Sequence, residues 1–126
     1  MGSFTSTDIG LQSVEMDGNL TQTPEFPYNW MYDGSRPQMP GFEMEITCKS
    51  LFLIFKDSGE MDVGKADVFV NDVYCMTADP HKNNWLHCNA VLLFWETESR
   101  SHKVRIAVTE EDRNKKFTIL GFGYTI

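Results

Sequence analysis

A tryptophan and two asparagines lie together in one short polar segment, a combination typical of sugar-binding sites. The segment is Asp79-Pro80-His81-Lys82-Asn83-Asn84-Trp85. An indole ring can stack on the C–H face of a pyranose, while neighbouring amides hydrogen-bond the sugar hydroxyls. Trp85 is therefore the candidate stacking platform, with Asn84 and Asn83 as its hydrogen-bond partners. The alternative is that Trp85 folds back and closes the end of the core, as loop aromatics often do.

Three more aromatic residues, Trp30, Tyr32 and Trp95, are candidates for either a ligand contact or a place in the core. Trp30 and Tyr32 lie in a loop-rich stretch that carries four prolines between positions 24 and 40. This setting favours packing over the edge of the core, so both are weaker ligand candidates than Trp85. Trp95 ends the apolar block 90–95, which has the length of one strand, and we expect its ring in the core.

The sequence contains no recognisable catalytic centre. The nucleophile pattern Gly-x-Ser-x-Gly is absent. Asp33-Gly34-Ser35 reverses the Gly-Asp-Ser order of lipase-like esterases, and Asp-Gly is a turn signal. The carboxylates of Glu110-Glu111-Asp112 fall in a charged turn, where water should leave their acidity ordinary. We expect no catalytic residue in this chain.

The histidines do not have the spacing of metal ligands. His81 and His87 are six residues apart in one polar loop, without the i, i+4 spacing of a zinc pair. We expect both to be solvated, and His102, at the start of a strand, to be exposed. No metal and no cofactor are predicted. Structural calcium is common in β-sandwiches, but the sequence shows no clear ligand set for it.

The cysteines also lack the short paired spacing of a zinc site, and their number is odd. Three free, mostly buried thiols are the favoured interpretation. One disulfide with a spare thiol is the alternative, because the sequence does not show which pair would meet. The three residues are Cys48, Cys75 and Cys88.

Composition indicates one domain with a core of its own. The chain has 126 residues, of which 41% are hydrophobic and 13% aromatic, and no apolar run approaches the roughly 18 to 20 residues of a membrane helix. Eleven basic residues face 18 acidic ones, a net charge of −7. This excess of negative charge disfavours nucleic acid and membrane as partners and leaves neutral ligands open.

The elements that would position these residues are strands. In the segment 64–72, Ala66, Val68 and Val70 fall on one side of an extended chain and polar residues fall mainly on the other. Asn71-Asp72 then supplies two residues that tolerate the positive φ of a tight hairpin turn, and 73–77 returns as the partner strand.

The rest of the chain follows the same pattern. Residues 42–48 and 102–108 alternate as half-exposed strands, while 51–55 and 90–95 are apolar throughout and predict strands buried on both faces. Residues 117–125 form a closing strand. We predict an all-β antiparallel β-sandwich of jelly-roll type, with about eight strands and no significant helix.

The chain is expected to divide into two segments. Residues 1–10 predict a disordered segment that begins with a cloning-like Met-Gly-Ser, and 11–126 predict the β-sandwich domain. We therefore expect the chain to be a domain cut from a larger protein.

Four segments, in this order, resemble the β-sandwich accessory domain attached to SGNH/GDSL-type hydrolases of anaerobic Gram-positive bacteria. The jelly-roll domain of some bacterial carbohydrate esterases is a looser relative. The resemblance covers 11–126 and rests on strand patterns. The segments are Phe26-Pro27-Tyr28-Asn29-Trp30-Met31, Cys48-Lys49-Ser50-Leu51-Phe52-Leu53-Ile54-Phe55-Lys56, Gly64-Lys65-Ala66-Asp67-Val68-Phe69-Val70-Asn71 and Lys116-Phe117-Thr118-Ile119-Leu120-Gly121-Phe122-Gly123-Tyr124.

The resemblance implies a non-catalytic module beside an esterase, because that family carries its catalytic triad in a separate domain. The implied partners are a glycan or polysaccharide and the hydrolase domain of the parent chain, and the implied location is extracellular or at the cell surface. Trp85 matches the tryptophan of the family's loop, but Asn83 and Asn84 replace its two glycines. Alternatives are a purely structural domain that packs against the esterase and, more remotely, an enzyme in its own right.

Overall fold

The computed structural model describes Phe4 and residues 12–14, 20–24, 29–34, 41–82 and 88–126. Within these residues the chain is all-β, as predicted, and the only helical segment is a single 3-10 turn. None of the described helices has the length and apolar character to cross a membrane. The elements are β1 (Gln12–Val14), β2 (Leu20–Pro24), β3 (Trp30–Tyr32), β4 (Phe42–Lys56), β5 (Ala66–Val70), β6 (Val73–Ala78), β7 (Cys88–Val108), the 3-10 helix Glu110–Asp112 and β8 (Phe117–Thr125).

Six strands form one antiparallel sheet in the order β3-β8-β4-β7-β5-β6, and β1 pairs with β2 separately. Strands β4 and β7 are long enough to serve two arms of this sheet. In the first arm, residues 42–48 of β4 pair with 100–106 of β7, which continues to β5 and β6. In the second arm, residues 50–56 of β4 lie between 88–95 of β7 and strand β8.

Strand β4 bends where the two arms meet. The ring of Phe42 lies 5.6 Å from that of Phe122, whose Cα partner is Leu53. A straight strand would separate Phe42 from Leu53 by about 36 Å, at about 3.3 Å per residue. Register shifts follow Cys48 and Leu51, and such irregularities bend a strand. The inner faces of the two arms are thereby brought together, while the jelly-roll topology stays a prediction.

The hairpin predicted at 64–72 is confirmed. Asn71 and Asp72 have φ values of 52° and 65°, the positive pair required by a two-residue turn that matches the twist of its strands. Ala66 and Val68 are buried, and Val70 is half-buried. The closing strand is also confirmed, with the predicted bounds Phe117–Thr125.

The predicted two-sided burial of 51–55 and 90–95 is wrong. Leu51 and Leu53 are fully buried, but Phe52 between them is 41% exposed. In β7, Leu92 is 49% exposed and Trp95, expected in the core, is 80% exposed. These segments belong to one sheet that packs on one side only, so alternate residues face away from the core.

The core lies between the inner faces of the arms. It includes buried residues of both, such as Val104 and Ile106 from the first arm and Leu53 and Ile119 from the second. Phe4 packs into the same cluster, with its ring 5.8 Å from that of Tyr32 and 6.2 Å from that of Phe42. Phe4 belongs to the segment 1–10, whose predicted disorder stays a prediction, because the other residues of that segment lie outside the described residues.

Candidate functional site

The predicted stacking platform lies outside the described residues. Trp85, Asn83 and Asn84 belong to 83–87, so their ligand role stays a prediction. The residues just before this segment are described. Asp79 Oδ1 accepts a hydrogen bond from the His81 backbone N–H at 2.9 Å, and the Asp79 carbonyl accepts one from Lys82 at 3.3 Å. These hydrogen bonds hold the backbone of the residues that immediately precede 83–87.

Asp79 and His81 line the smaller of two clefts that share Lys65 and Glu111, and we name the two clefts together the polar cleft. The larger cleft has a volume of about 580 Å³ and the smaller about 310 Å³. Acidic side chains outnumber lysines around them, which disfavours anionic ligands. The larger is lined by Lys65, Asp67, Thr77, Thr109, Glu110 and Glu111, and the smaller by Val63, Lys65, Asp79, His81, Glu111, Asp112 and Lys115.

Residues with hydroxyl groups line the larger cleft, and one of these hydroxyls has no hydrogen-bond partner among the described residues. Thr77 Oγ1 donates to Asp67 Oδ1 at 2.6 Å, so Tyr74 OH, 2.8 Å away, donates to Thr77 Oγ1. Thr109 Oγ1 is buried and has no hydrogen-bond partner within the part of the chain that is described. A buried hydroxyl without a partner costs free energy, so Thr109 is a group that a polar ligand would satisfy.

Asp112 fixes the rim between the two clefts. Its side chain is buried, and Oδ2 accepts the Lys65 backbone N–H at 2.9 Å. This hydrogen bond, with help from the Lys115 ammonium 3.5 Å from Oδ1, lowers the pKa of the Asp112 carboxyl below its ordinary value. The predicted ordinary acidity of the 110–112 turn is therefore wrong at Asp112. Gly64 is required beside it, because a Cβ there would lie 2.5 Å from the Asp112 Cβ.

Lys65 and Glu111 line both clefts. The Lys65 Nζ lies 3.3 Å from Glu111 Oε1, and the hydrogen bond that Lys65 donates to Glu111 raises the pKa of the lysine. His81 is not freely solvated as predicted, since its Nε2 donates to the Val63 carbonyl at 2.6 Å. Over the residues that are described, no group of three or more His, Cys, Asp or Glu has an arrangement that could hold a metal ion.

The two weaker ligand candidates pack within the protein. Trp30 is half-buried, with its ring 5.3 Å from that of Phe42. Tyr32 is only 3% exposed, its OH donates to the Arg113 carbonyl, and burial raises the pKa of its phenol. Tyr32 therefore presents no free ring face in this structure.

Apolar side chains also form rows on the outward side of the second arm, which we name the outer face. Opposed residues on neighbouring strands project to the same side of a sheet. Gly123 confirms this geometry, because a Cβ there would lie 3.8 Å from the Phe52 Cβ. Taken from β7 to β4 to β8, the rows are Trp95–Ser50–Thr125, Leu92–Phe52–Gly123 and Ala90–Ile54–Gly121.

His102 stabilises the bend next to the outer face. The prediction that it is exposed is wrong, since it is 7% exposed. Asn71 Oδ1 accepts the Lys103 N–H, so Asn71 Nδ2 donates to His102 Nδ1 at 3.0 Å. The remaining ring nitrogen, Nε2, donates to Glu96 Oε1 at 2.6 Å. His102 thus joins the hairpin turn to the irregular part of β7.

No disulfide joins any two of Cys48, Cys75 and Cys88. Cys48 is buried, and Cys75 and Cys88 are half-buried. Burial raises the pKa of the Cys48 thiol, and the charge of Glu96 adds to the effect. Burial raises the pKa of Cys75 as well. Both groups therefore favour the unreactive thiol form.

Neither the polar cleft nor the outer face was predicted from the sequence. The cleft brings together residues from three separate segments, 63–67, 77–81 and 109–115, and no local sequence pattern indicates that these segments meet. One sequence pattern does indicate the outer face: small residues occupy every second position of the closing strand, at Gly121, Gly123 and Thr125. Glycines spaced by two in a strand mark a side on which nothing from the core is packed.

No family model and no curated protein matches the sequence. The fold is similar to that of a family two carbohydrate esterase from Cellvibrio japonicus, with a TM-score of 0.56 at 14% identity over 99% of this chain and 32% of that one. An acetyl xylan esterase from the rumen bacterium Butyrivibrio proteoclasticus gives a TM-score of 0.47 at 15% identity, over 68% of this chain and 25% of that one. The chain spans about a third of the length of the first esterase, and the likeness to it is one of fold.

Proposed function

We propose that this chain is a non-catalytic carbohydrate-binding domain of a larger carbohydrate-active hydrolase, and that it binds a neutral oligosaccharide at the polar cleft. The observation that carries the proposal is at Thr109, a residue of the cleft lining whose hydroxyl oxygen is buried and has no hydrogen-bond partner among the described residues. The similarity in fold to a carbohydrate esterase supports sugar as the class of ligand.

The groups around Thr109 suit a ligand rich in hydroxyls. A sugar hydroxyl both donates and accepts, so it can pair with Thr109 Oγ1 and with a charged neighbour at once. Carboxylates and ammonium groups make the stronger, charge-assisted hydrogen bonds, and Asp67 and Lys65 supply them here. Tyr74, joined to the cleft through Thr77, is 57% exposed and adds an aromatic ring.

Trp85 supplies the stacking face in this proposal, with Asn83 and Asn84 as hydrogen-bond partners. The segment 83–87 leaves the rim immediately after Lys82, next to His81, which lines the smaller cleft. One or two stacked sugars on such a site should bind with a dissociation constant on the order of 0.1 to 1 mM.

Titration with soluble xylo-, gluco- and manno-oligosaccharides tests the proposal, with amide NMR shifts and tryptophan fluorescence as signals. Thr109→Val removes the hydroxyl and keeps the shape, so it should weaken binding while leaving the fold as stable or more stable. Trp85→Ala should weaken binding too. Thr97→Val, at an exposed position in β7, is the matched control. The cleft is not a sugar site if the wild type shows no response, or if Thr109→Val binds as the wild type does.

The proposal also holds that catalysis resides outside this chain. This chain spans 32% of a carbohydrate esterase of similar fold, which leaves room in such a protein for a separate hydrolase domain. A chromogenic acetyl ester should stay intact with this chain alone. Hydrolysis above the buffer rate that survives further purification would overturn the non-catalytic assignment.

A further inference from the structure

We propose that the outer face is a second carbohydrate surface, which takes the flat side of a neutral, extended polysaccharide. The proposal rests on the carbohydrate role proposed above, but not on the polar cleft. The two surfaces share no residue: the outer face belongs to the second arm, whereas the cleft is built around β5, β6 and the 3-10 helix.

The first support is the exposure of large apolar side chains in adjacent rows. Trp95, Leu92 and Phe52 are 80%, 49% and 41% exposed. Successive rows are two residues apart along β4 and β8, about 7 Å, so the rings of Trp95 and Phe52 can contact neighbouring units of one ligand. In β7, three residues separate Leu92 from Trp95, because a register shift falls between them. Indole and phenyl rings offer flat apolar faces for the C–H side of sugar rings.

The second support is the absence of side chains at Gly121 and Gly123, two of the three outer-face positions of β8. A Cβ at Gly121 would meet no atom within 4 Å, and one at Gly123 would meet only Phe52 at ordinary contact distance. Neither glycine is therefore required by packing. Glycine in a strand also marks places where a ligand approaches the backbone closely. The backbone of β8 at Gly121 and Gly123, next to Phe52, is therefore open to a broad, flat ligand.

The third support is charge. None of the nine outer-face residues is charged, although the chain as a whole carries −7. A neutral face on an acidic protein disfavours anionic polymers and basic partners alike. In the row of Trp95, the exposed Thr125 has its Oγ1 2.7 Å from the Oγ of Ser50, which is buried, and the two hydroxyls form a hydrogen bond. A neutral polysaccharide, apolar on its ring faces and polar at its edges, fits this pattern.

Depletion by insoluble polymer tests the inference. The protein is mixed with microcrystalline cellulose or insoluble xylan, the solid is removed, and the protein left in solution is measured. The wild type should be depleted, and Trp95→Ala should lower the partition coefficient at least about fivefold. Phe52→Thr should also lower it. Tyr124→Ala is the matched control. Tyr124 is 57% exposed, but in β8 it lies between Gly123 and Thr125, so its side chain projects to the side opposite the outer face.

The outcomes separate the two sites. Thr109→Val should still bind polymer, and Trp95→Ala should still bind soluble oligosaccharide, so failure of one proposal leaves the other standing. The inference is overturned if the wild type is not depleted by either polymer, or if Trp95→Ala is depleted equally. Sedimentation adds a third arm: self-association of the wild type that Trp95→Ala abolishes would make the outer face a protein interface instead.

Discussion

The two sides of the second arm carry similar apolar residues but have different surroundings. Leu51 and Leu53 on the inner side are fully buried, whereas Phe52, which lies between them in the same strand, is 41% exposed. Leu92 on the neighbouring strand shares the side of Phe52. Apolar character alone therefore does not decide whether a side chain is buried. Burial depends on what the rest of the chain places opposite each side.

This contrast assigns different roles to the two sides. Side chains of the inner side hold the arms together, so their removal should cost stability. Side chains of the outer side are held by their strands but contribute little packing, so their removal should affect ligands more than folding. The following predictions test this division.

Leu53→Ala should have the largest effect on stability. It leaves a cavity in the core, which typically costs about 2 to 5 kcal/mol of the free energy of unfolding. Leu92→Ala removes the same atoms from the outer face and should change stability by roughly 0.5 kcal/mol or less. Urea denaturation followed by circular dichroism measures both. Equal losses would show that the outer face is packed in solution and would remove the contrast.

The sequence predicted the strands better than it predicted their sides. The Asn71-Asp72 turn and the closing strand β8 depend on local chemistry, and both are confirmed. Trp95 and His102 were misplaced because their burial depends on partners distant in sequence: Trp95 lies opposite Ser50, and His102 is covered by the hairpin turn of Asn71. The polar cleft was missed for the same reason.

The next largest effect is expected at His102, a polar group on the packed side. His102→Leu would leave Asn71 Nδ2 and Glu96 Oε1 without their hydrogen bonds, at a cost of about 1 to 3 kcal/mol. His102→Gln keeps a donor and an acceptor and should recover part of the loss. Urea denaturation at neutral pH compares the three proteins. A His102→Leu variant as stable as the wild type would mean that packing alone holds this bend.

The pH dependence of stability allows a further comparison, between a buried carboxylate, Asp112, and an exposed one, Asp62. The Lys65 N–H lowers the pKa of Asp112 in the folded state, so the carboxylate stabilises the fold above its unfolded pKa of about 3.9. That contribution is lost as the pH falls through the lower, folded pKa. The urea midpoint of Asp112→Asn should thus lie below that of the wild type at neutral pH and approach it in acid.

Asp62 provides the control for that measurement. A hydrogen bond from Lys116 lowers its pKa too, but its side chain is 56% exposed and water screens the interaction. Asp62→Asn should therefore shift the midpoint much less at every pH. If the two variants behave alike, burial of Asp112 does not strengthen its interactions.

A small effect of opposite sign, a gain in stability, is expected at Gly121, and it is the effect most specific to the outer face. Its φ is not in the left-handed region and a Cβ there meets no atom within 4 Å, so Gly121→Thr should fit without strain. Threonine favours strands and glycine disfavours them, which predicts a gain of about 0.5 to 1 kcal/mol. Gly64→Ala is the opposite case, because its Cβ would lie 2.5 Å from the Asp112 Cβ, and it should destabilise. A more stable Gly121→Thr protein that binds polysaccharide less well would show that this glycine is not needed for folding but for access to the sheet. If Gly121→Thr instead lowers the stability, the outer side of the sheet is packed at this position.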